Sequence, residues 1–144
     1  MLFGGRCGAT SPPVIAIDTN LLVRHLTQDD LVQSAKVAKL LAGAANDGEL
    51  VLLTDIVLCE TAWVLTRFYE VTRADLLTAL GRILADAQFA FQHRPEVAAA
   101  VRASRTGRGH FADHLISVLA RSAGCHTTYT FEKGLGASSG FTLL

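Results

Sequence analysis

The chain has 144 residues, half of them hydrophobic, with 13 Lys plus Arg against 13 Asp plus Glu and no net charge. That length suits one domain around one core, and the charge balance argues against a strongly basic nucleic-acid binder. It does not exclude RNA, because acidic residues committed to a metal would leave the remainder net basic.

Residues 1–13, MLFGGRCGATSPP, contain Gly, Ser and Pro and no apolar run of signal-peptide length. A loose leader is expected there, with a single domain over 14–144. No stretch approaches the roughly 18 apolar residues of a transmembrane helix, so no membrane span is expected. Cys7, Cys59 and Cys125 have no CxxC spacing. They imply neither a disulfide framework nor a zinc site and fit a reducing cytoplasm.

Val14 to Ile17, apolar and β-branched after Pro12-Pro13, predicts a buried strand. Asp18-Thr19-Asn20 offers three good cap residues for a helix over Leu21 to Leu26. A second helix is expected from about Asp29 to Ala45, with Val32, Ala35, Leu40 and Leu41 on its apolar face. Asn46-Asp47-Gly48 stops it. Leu50 to Leu53 reads as a second strand, and Thr54-Asp55 caps a third helix over Ile56 to Tyr69, in which Trp63 and Cys59 are expected to be buried. Thr72 with Asp75 resembles a capping box and opens a fourth helix ending near Asp86. Phe89 to Phe91 reads as a third strand. Pro95 marks the first turn of a fifth helix that fades across residues 105–109. Phe111 to Ala123 is the sixth helix, stopped by Gly124. His126 to Thr130 and Phe141 to Leu144 follow as strands, separated by a turn at Gly134-Leu135-Gly136. Strands alternating with helices imply an α/β fold, a Rossmann-like, mostly parallel sheet with helices on both faces. Active sites of such sheets lie at the carboxyl ends of the strands.

Four carboxylates draw attention. Asp18 directly follows the first strand and reads equally as a helix cap or as an acid at the sheet edge. Glu60 has apolar neighbours one helical turn away: Ile56, Val57, Trp63 and Val64. A carboxylate desolvated among them needs a partner, either a metal or a cation such as Arg67. Asp113, early in the sixth helix, is accounted for by the helix dipole alone. Glu132 follows the fourth strand and reads as an edge acid or as a solvated partner of Lys133. If all four converge, their repulsion calls for divalent metal. An all-oxygen set favours Mg2+ or Mn2+, and paired hard metals are a common device for attack on phosphodiesters.

The stretch from Val14 to Arg24, with Asp18-Thr19-Asn20 at its centre, resembles the opening motif of PIN domains in VapC toxins. Glu60-Thr61-Ala62-Trp63-Val64-Leu65 is similar to that family's second acidic motif. Phe111-Ala112-Asp113-His114-Leu115-Ile116 resembles the third, and Thr128-Tyr129-Thr130-Phe131-Glu132-Lys133 the fourth. The motifs occur in family order over residues 14–133. The resemblance implies a metal-dependent endoribonuclease with Asp18, Glu60, Asp113 and Glu132 at a Mg2+ or Mn2+ site. Asn20 and Thr130 would be supporting polar residues. It further implies an RNA substrate, of transfer or ribosomal RNA class, a VapB-type antitoxin, and a homodimer. One departure stands out: the fourth motif normally ends in Asp, where this chain has Glu132. That substitution keeps open a second reading, a non-catalytic PIN domain that binds RNA or a partner.

Arg102, Arg105, Arg108 and His110 form a basic group beside the third motif. It reads as a phosphate contact or as a solvated helix end. His110 and His114 lack the Glu of a zinc-protease helix, and no GxxxxGK[ST] phosphate loop is present.

Overall fold

The computed structural model describes residues 14–144, so the leader expected over residues 1–13 lies outside the described part. The apolar, β-branched runs pair as a parallel sheet: β1 (Val14–Ala16), β2 (Leu50–Leu53) and β3 (Phe89–Phe91), in the order β1-β2-β3. Ile15 stands opposite Val51 and Leu52 opposite Ala90. Between them run α1 (Thr19–Thr27), α2 (Leu31–Asn46), α3 (Asp55–Phe68) and α4 (Arg73–Ala85). After β3 come α5 (Arg94–Thr106), α6 (Phe111–Ser122), β4 (Thr128–Thr130), α7 (Lys133–Gly136) and β5 (Phe141–Leu143). β4 and β5 also pair in parallel but form their own two-stranded ladder. The α/β fold expected from the alternation is present and every described strand pair is parallel, although the ladders fall into two groups.

Successive strand residues point to opposite faces. In β3 all three residues, Phe89, Ala90 and Phe91, are buried. Both faces of the sheet are therefore covered there, as a parallel sheet requires. The core is built from Leu22, Val51, Leu53, Leu58, Leu80, Val97 and Leu115, all essentially inaccessible to solvent.

The caps fall where short polar side chains precede apolar runs. Asp18 Oδ1 accepts from the Leu21 N–H, Asp30 from Gln33, Thr54 from Val57 and Thr72 from Asp75. Because Asp18 itself is the cap, α1 begins at Thr19, two residues before the expected start. The core face of α2 is Ser34, Val37, Leu41 and Ala44. These follow the three- and four-residue spacing of one helical stripe, whereas Val32, Ala35 and Leu40 lie off it and are exposed. Trp63 is likewise not a core residue. The buried stripe of α3 is Leu58, Thr61, Ala62 and Leu65, and Trp63 falls between its rows, 59% exposed and edge-to-face with Phe68 at 5.3 Å. The turn expected at residues 134–136 is a single helical turn, α7.

Polar ties hold the elements together. The Arg24 guanidinium donates to Gln33 Oε1 at 2.7 Å and to the Tyr69 hydroxyl at 3.0 Å, and Tyr69 donates to Asp29 at 2.8 Å. This joins α1, the start of α2 and the end of α3. The Arg73 guanidinium donates to the backbone carbonyls of Ser104, Gly107 and Gly109. One side chain at the head of α4 thus secures the whole α5–α6 connection.

Candidate metal centre at the carboxyl edge

Asp18 follows β1 and is exposed at the carboxyl edge of the sheet. Its Oδ1 is engaged in capping α1. The next residue, Thr19, reaches across to α3 and donates its hydroxyl to Glu60 Oε1 at 2.7 Å. The first and second acidic motifs are therefore joined directly. Thr19 was not singled out in the sequence except as a possible cap. A hydroxyl beside Asp18, facing a helix that carries Glu60, is the signal that would have found it.

Glu60 is not desolvated as its neighbours suggested. It is exposed, and so are Ile56 (71%) and Trp63. Apolar identity at helical spacing does not guarantee burial, and this side of α3 faces away from the sheet. No cation partners Glu60 among the described residues; its bond is to Thr19.

Asp113 sits in the first turn of α6 and accepts from the His110 N–H through Oδ2 at 2.8 Å. α6 packs against α3, and Asp113 lines a cleft of about 600 Å³ with Cys59, Ala62 and Trp63 of α3 and Arg73 and Leu77 of α4. A second cavity of about 530 Å³, bordered by His25, Tyr69, Arg82 and Phe89, contains none of the four carboxylates. The first is the candidate functional cleft because it holds an acid of the motif set, Asp113.

Glu132 follows β4 and is exposed, and its N–H donates to Thr130 Oγ1 at 3.0 Å. Thr130 thus shapes the turn that presents Glu132. Leu135 of α7 lies close to Asp113, because a β-carbon added to Gly109 would meet both Leu135 Cδ2 and Asp113 Oδ2. Asn20 is exposed in the first turn of α1. Arg102 and Arg105 are exposed on α5, and Arg105 reaches over Gly81 of α4. The Arg108 stem lies against Gly134, so of the three arginines it is the one at the β4–α7 turn.

His114, weighed in the sequence only as half of a zinc-protease pair and set aside, proves to be a fixed point. It is 3% exposed, and its Nε2 donates to the Arg108 carbonyl at 2.6 Å. The carbonyl can only accept, so Nε2 carries the hydrogen. With Arg73 on the other side, His114 fixes the loop that leads to Asp113. Cys59, expected to be buried, is half-buried, and burial with the nearby Asp55 carboxylate pushes its thiol pKa up. It is not a poised nucleophile.

Asp18, Glu60 and Asp113 each commit one oxygen to the protein and, among the described residues, leave the other without a hydrogen bond. A set of carboxylate oxygens suits a hard divalent cation. As the side chains stand, no three His, Cys, Asp or Glu residues among those described come close enough to hold an ion. The residues fit a metal by donor chemistry, with free oxygens turned out from ordered backbone, rather than by a closed cage.

The family model of the PIN domain matches residues 15–137, nearly the whole described chain, and the chain belongs to the PIN domain family. PIN domains are in general metal-dependent nucleases, and PIN nucleases act on RNA. Among curated proteins no match to the chain is found. No helix of the described residues is long and apolar enough to cross a membrane.

Proposed function

We propose that this PIN domain is a Mg2+- or Mn2+-dependent endoribonuclease and the toxin of a VapBC-type toxin–antitoxin pair. The observation that carries the reading is the 2.7 Å bond from Thr19, the neighbour of Asp18, to Glu60, which ties the first acidic motif to the second. Asp18, Glu60, Asp113 and Glu132 would hold the cation. When bound, the metal supplies a Lewis acid and an acidified water for phosphodiester hydrolysis. The chain's own residues do the positioning. Asp18 is oriented by capping α1, Asp113 by its bond from the His110 N–H, Glu60 by Thr19, and Glu132 by the turn that Thr130 shapes, with Asn20 a supporting polar residue in the first turn of α1. Arg108 and His110, with Arg102 and Arg105 further along α5, would contact RNA phosphates. The substrate class is transfer or ribosomal RNA, and the compartment is the cytoplasm.

The antitoxin would cover the cleft beside Asp113 with an apolar segment, and a second copy would pack on the exposed apolar side chains of α3 and α6, which include Ile56, Phe68 and Ile116. The competing reading is a PIN domain that binds RNA without cutting it; Glu132 in place of the family's Asp favours it. Incubation of the purified chain with RNA and Mg2+ decides between them. Cleavage that EDTA abolishes and that falls by orders of magnitude in Asp18→Asn is the expected result. Binding without metal-dependent cleavage, or equal cleavage by Asp18→Asn, would remove the nuclease reading. Growth arrest on expression, relieved by the product of an adjacent small gene, tests the toxin role separately.

A further inference from the structure

The carboxyl edge of the sheet carries a second polar group that the carboxylate site does not use. β2 and β3 end at Leu53 and Phe91, which stand opposite each other. Two residues past each strand lie Asp55 and His93, and their side chains meet, with His93 Nδ1 2.7 Å from Asp55 Oδ2. The Asp55 N–H donates to Gln92 Oε1 at 2.8 Å and fastens the same crossing. The Asp55 side chain is 17% exposed, and its Oδ1 is buried without a hydrogen-bond partner among the described residues. Thr54 already caps α3, so the helix has no need of this carboxylate as its cap. The His93 ring is 43% exposed, and Nε2 has no partner among the described residues. His93 occupies the cap position of α5, yet its side chain makes no cap bond.

This arrangement dictates what His93 can bind. An ionised carboxylate only accepts, so Nδ1 carries the ring hydrogen. In the neutral ring Nε2 is then a lone-pair acceptor, held in direction by Asp55. A phosphate oxygen also only accepts, so it pairs with Nε2 of an imidazolium but not with that of the neutral ring. The ligand of the neutral ring must offer a donor, and the donor along an RNA backbone is the ribose 2′-hydroxyl, which DNA lacks. The register places the pair beside the carboxylates. Ala16 stands opposite Leu52, and Leu53 opposite Phe91, so Asp18, Asp55 and His93 succeed one another along one edge. With strands about 4.8 Å apart, His93 lies about two strand spacings from Asp18.

We propose that His93, oriented by Asp55, accepts a hydrogen bond from a ribose 2′-hydroxyl of bound RNA and thereby discriminates RNA from DNA. The proposal rests on the nuclease reading above. The test is a binding scan. A short single-stranded RNA carries 2′-fluoro, which is no donor, at one position at a time, and its affinity for full-length Asp18→Asn protein is read by fluorescence anisotropy. One position should weaken binding about five- to tenfold, the loss of one hydrogen bond. The same position should become neutral when His93→Ala is added. A flat scan, or a sensitive position that persists without His93, overturns the proposal. The scan stands by itself if His93→Ala does not fold, which a thermal melt reveals. Cleavage by the wild-type chain, run in parallel, separates the two ideas. EDTA-sensitive cleavage with a flat scan removes only the role of His93, whereas absence of both cleavage and RNA binding removes both.

Discussion

Gly109 is the residue whose replacement tests most directly how the fold holds the site. It has φ +91°, and a β-carbon there would run into Leu135 Cδ2 and lie 3.2 Å from Asp113 Oδ2. Its carbonyl is fixed by Arg73, so the backbone cannot swing away freely. A β-carbon at positive φ costs roughly 1–2 kcal/mol. Leu135 is 5% exposed and has little room to yield, which adds roughly 1–2 kcal/mol of overpacking. Gly109→Ala should therefore lose about 2–4 kcal/mol, and at about 3 °C per kcal/mol for a chain of this size the melting temperature should fall by roughly 6–12 °C. Gly43→Ala is the control. It lies in α2 with nothing within 4 Å of an added β-carbon, and relief of glycine's entropy should raise stability by roughly 0.5–1 kcal/mol. Thermal melts by circular dichroism read both. If Gly109→Ala melts with the wild type, or if both variants shift the same way, the connection between α5 and α6 is not constrained as described.

Thr61 is fully buried and its hydroxyl has no partner among the described residues, so Thr61→Val should stabilise by about 1 kcal/mol; a lower melting temperature would show that the hydroxyl is satisfied. Asp29 has its pKa lowered from 3.8, first by the Tyr69 hydroxyl, then by Thr27 and Arg24. The unfolded chain therefore takes up this proton first, and the contribution of the network is complete above 3.8 and lost as pH falls through the lower folded value. The melting-temperature gap between wild type and Asp29→Asn should be open near neutrality and close in acid; a gap independent of pH contradicts this. Glu132→Asp should lower the Mg2+ concentration that half-saturates RNA cleavage, because it restores the side-chain length the family carries there, while Glu132→Ala should raise it. Superimposable Mg2+ titrations for the three proteins would place Glu132 outside the site.

Much of this is legible in the sequence. The strands at residues 14, 50 and 89 announced themselves as short apolar runs between cap residues, and the parallel sheet follows from their alternation with helices. The acids were legible as a set, because their motifs occur in order. What the sequence could not supply was facing. The apolar residues around Glu60 suggested burial, but hydropathy does not say which side of α3 meets the sheet, and Leu58, Ala62 and Leu65 took that side. The same ambiguity misplaced Trp63 and the apolar face of α2. The ties made by long side chains were equally hidden. Arg73 reaches three carbonyls more than thirty residues away, and nothing local marks it out. The Asp55–His93 contact was closer to being readable, since each lies two residues past the end of a strand and parallel pairing brings such positions together.

The division of labour within each carboxylate decides how the site should be probed. Asp18 and Asp113 are part of the fold through one oxygen and available to a ligand through the other. Removing either side chain outright confounds the two roles: for Asp18 an N-cap worth roughly 0.5–2 kcal/mol is lost, and for Asp113 the bond from the His110 N–H is lost. Asn caps a helix about as well as Asp, so Asp18→Asn keeps the bond to the Leu21 N–H while removing the charge. If Asp18→Ala and Asp18→Asn lose activity equally but only Asp18→Ala loses stability, the free oxygen carries the chemistry and the bonded one the structure. If Asp18→Asn is also destabilised, the negative charge at the head of α1 is itself a structural element, through the helix dipole. Glu60 has no such double role. It caps nothing, and its one side-chain hydrogen bond among the described residues runs to a neighbouring motif, so Glu60→Gln should change metal binding with little effect on the metal-free fold. The three acids thus give different stability responses to the same loss of charge, and that pattern, rather than loss of activity alone, separates a metal centre from a row of helix caps.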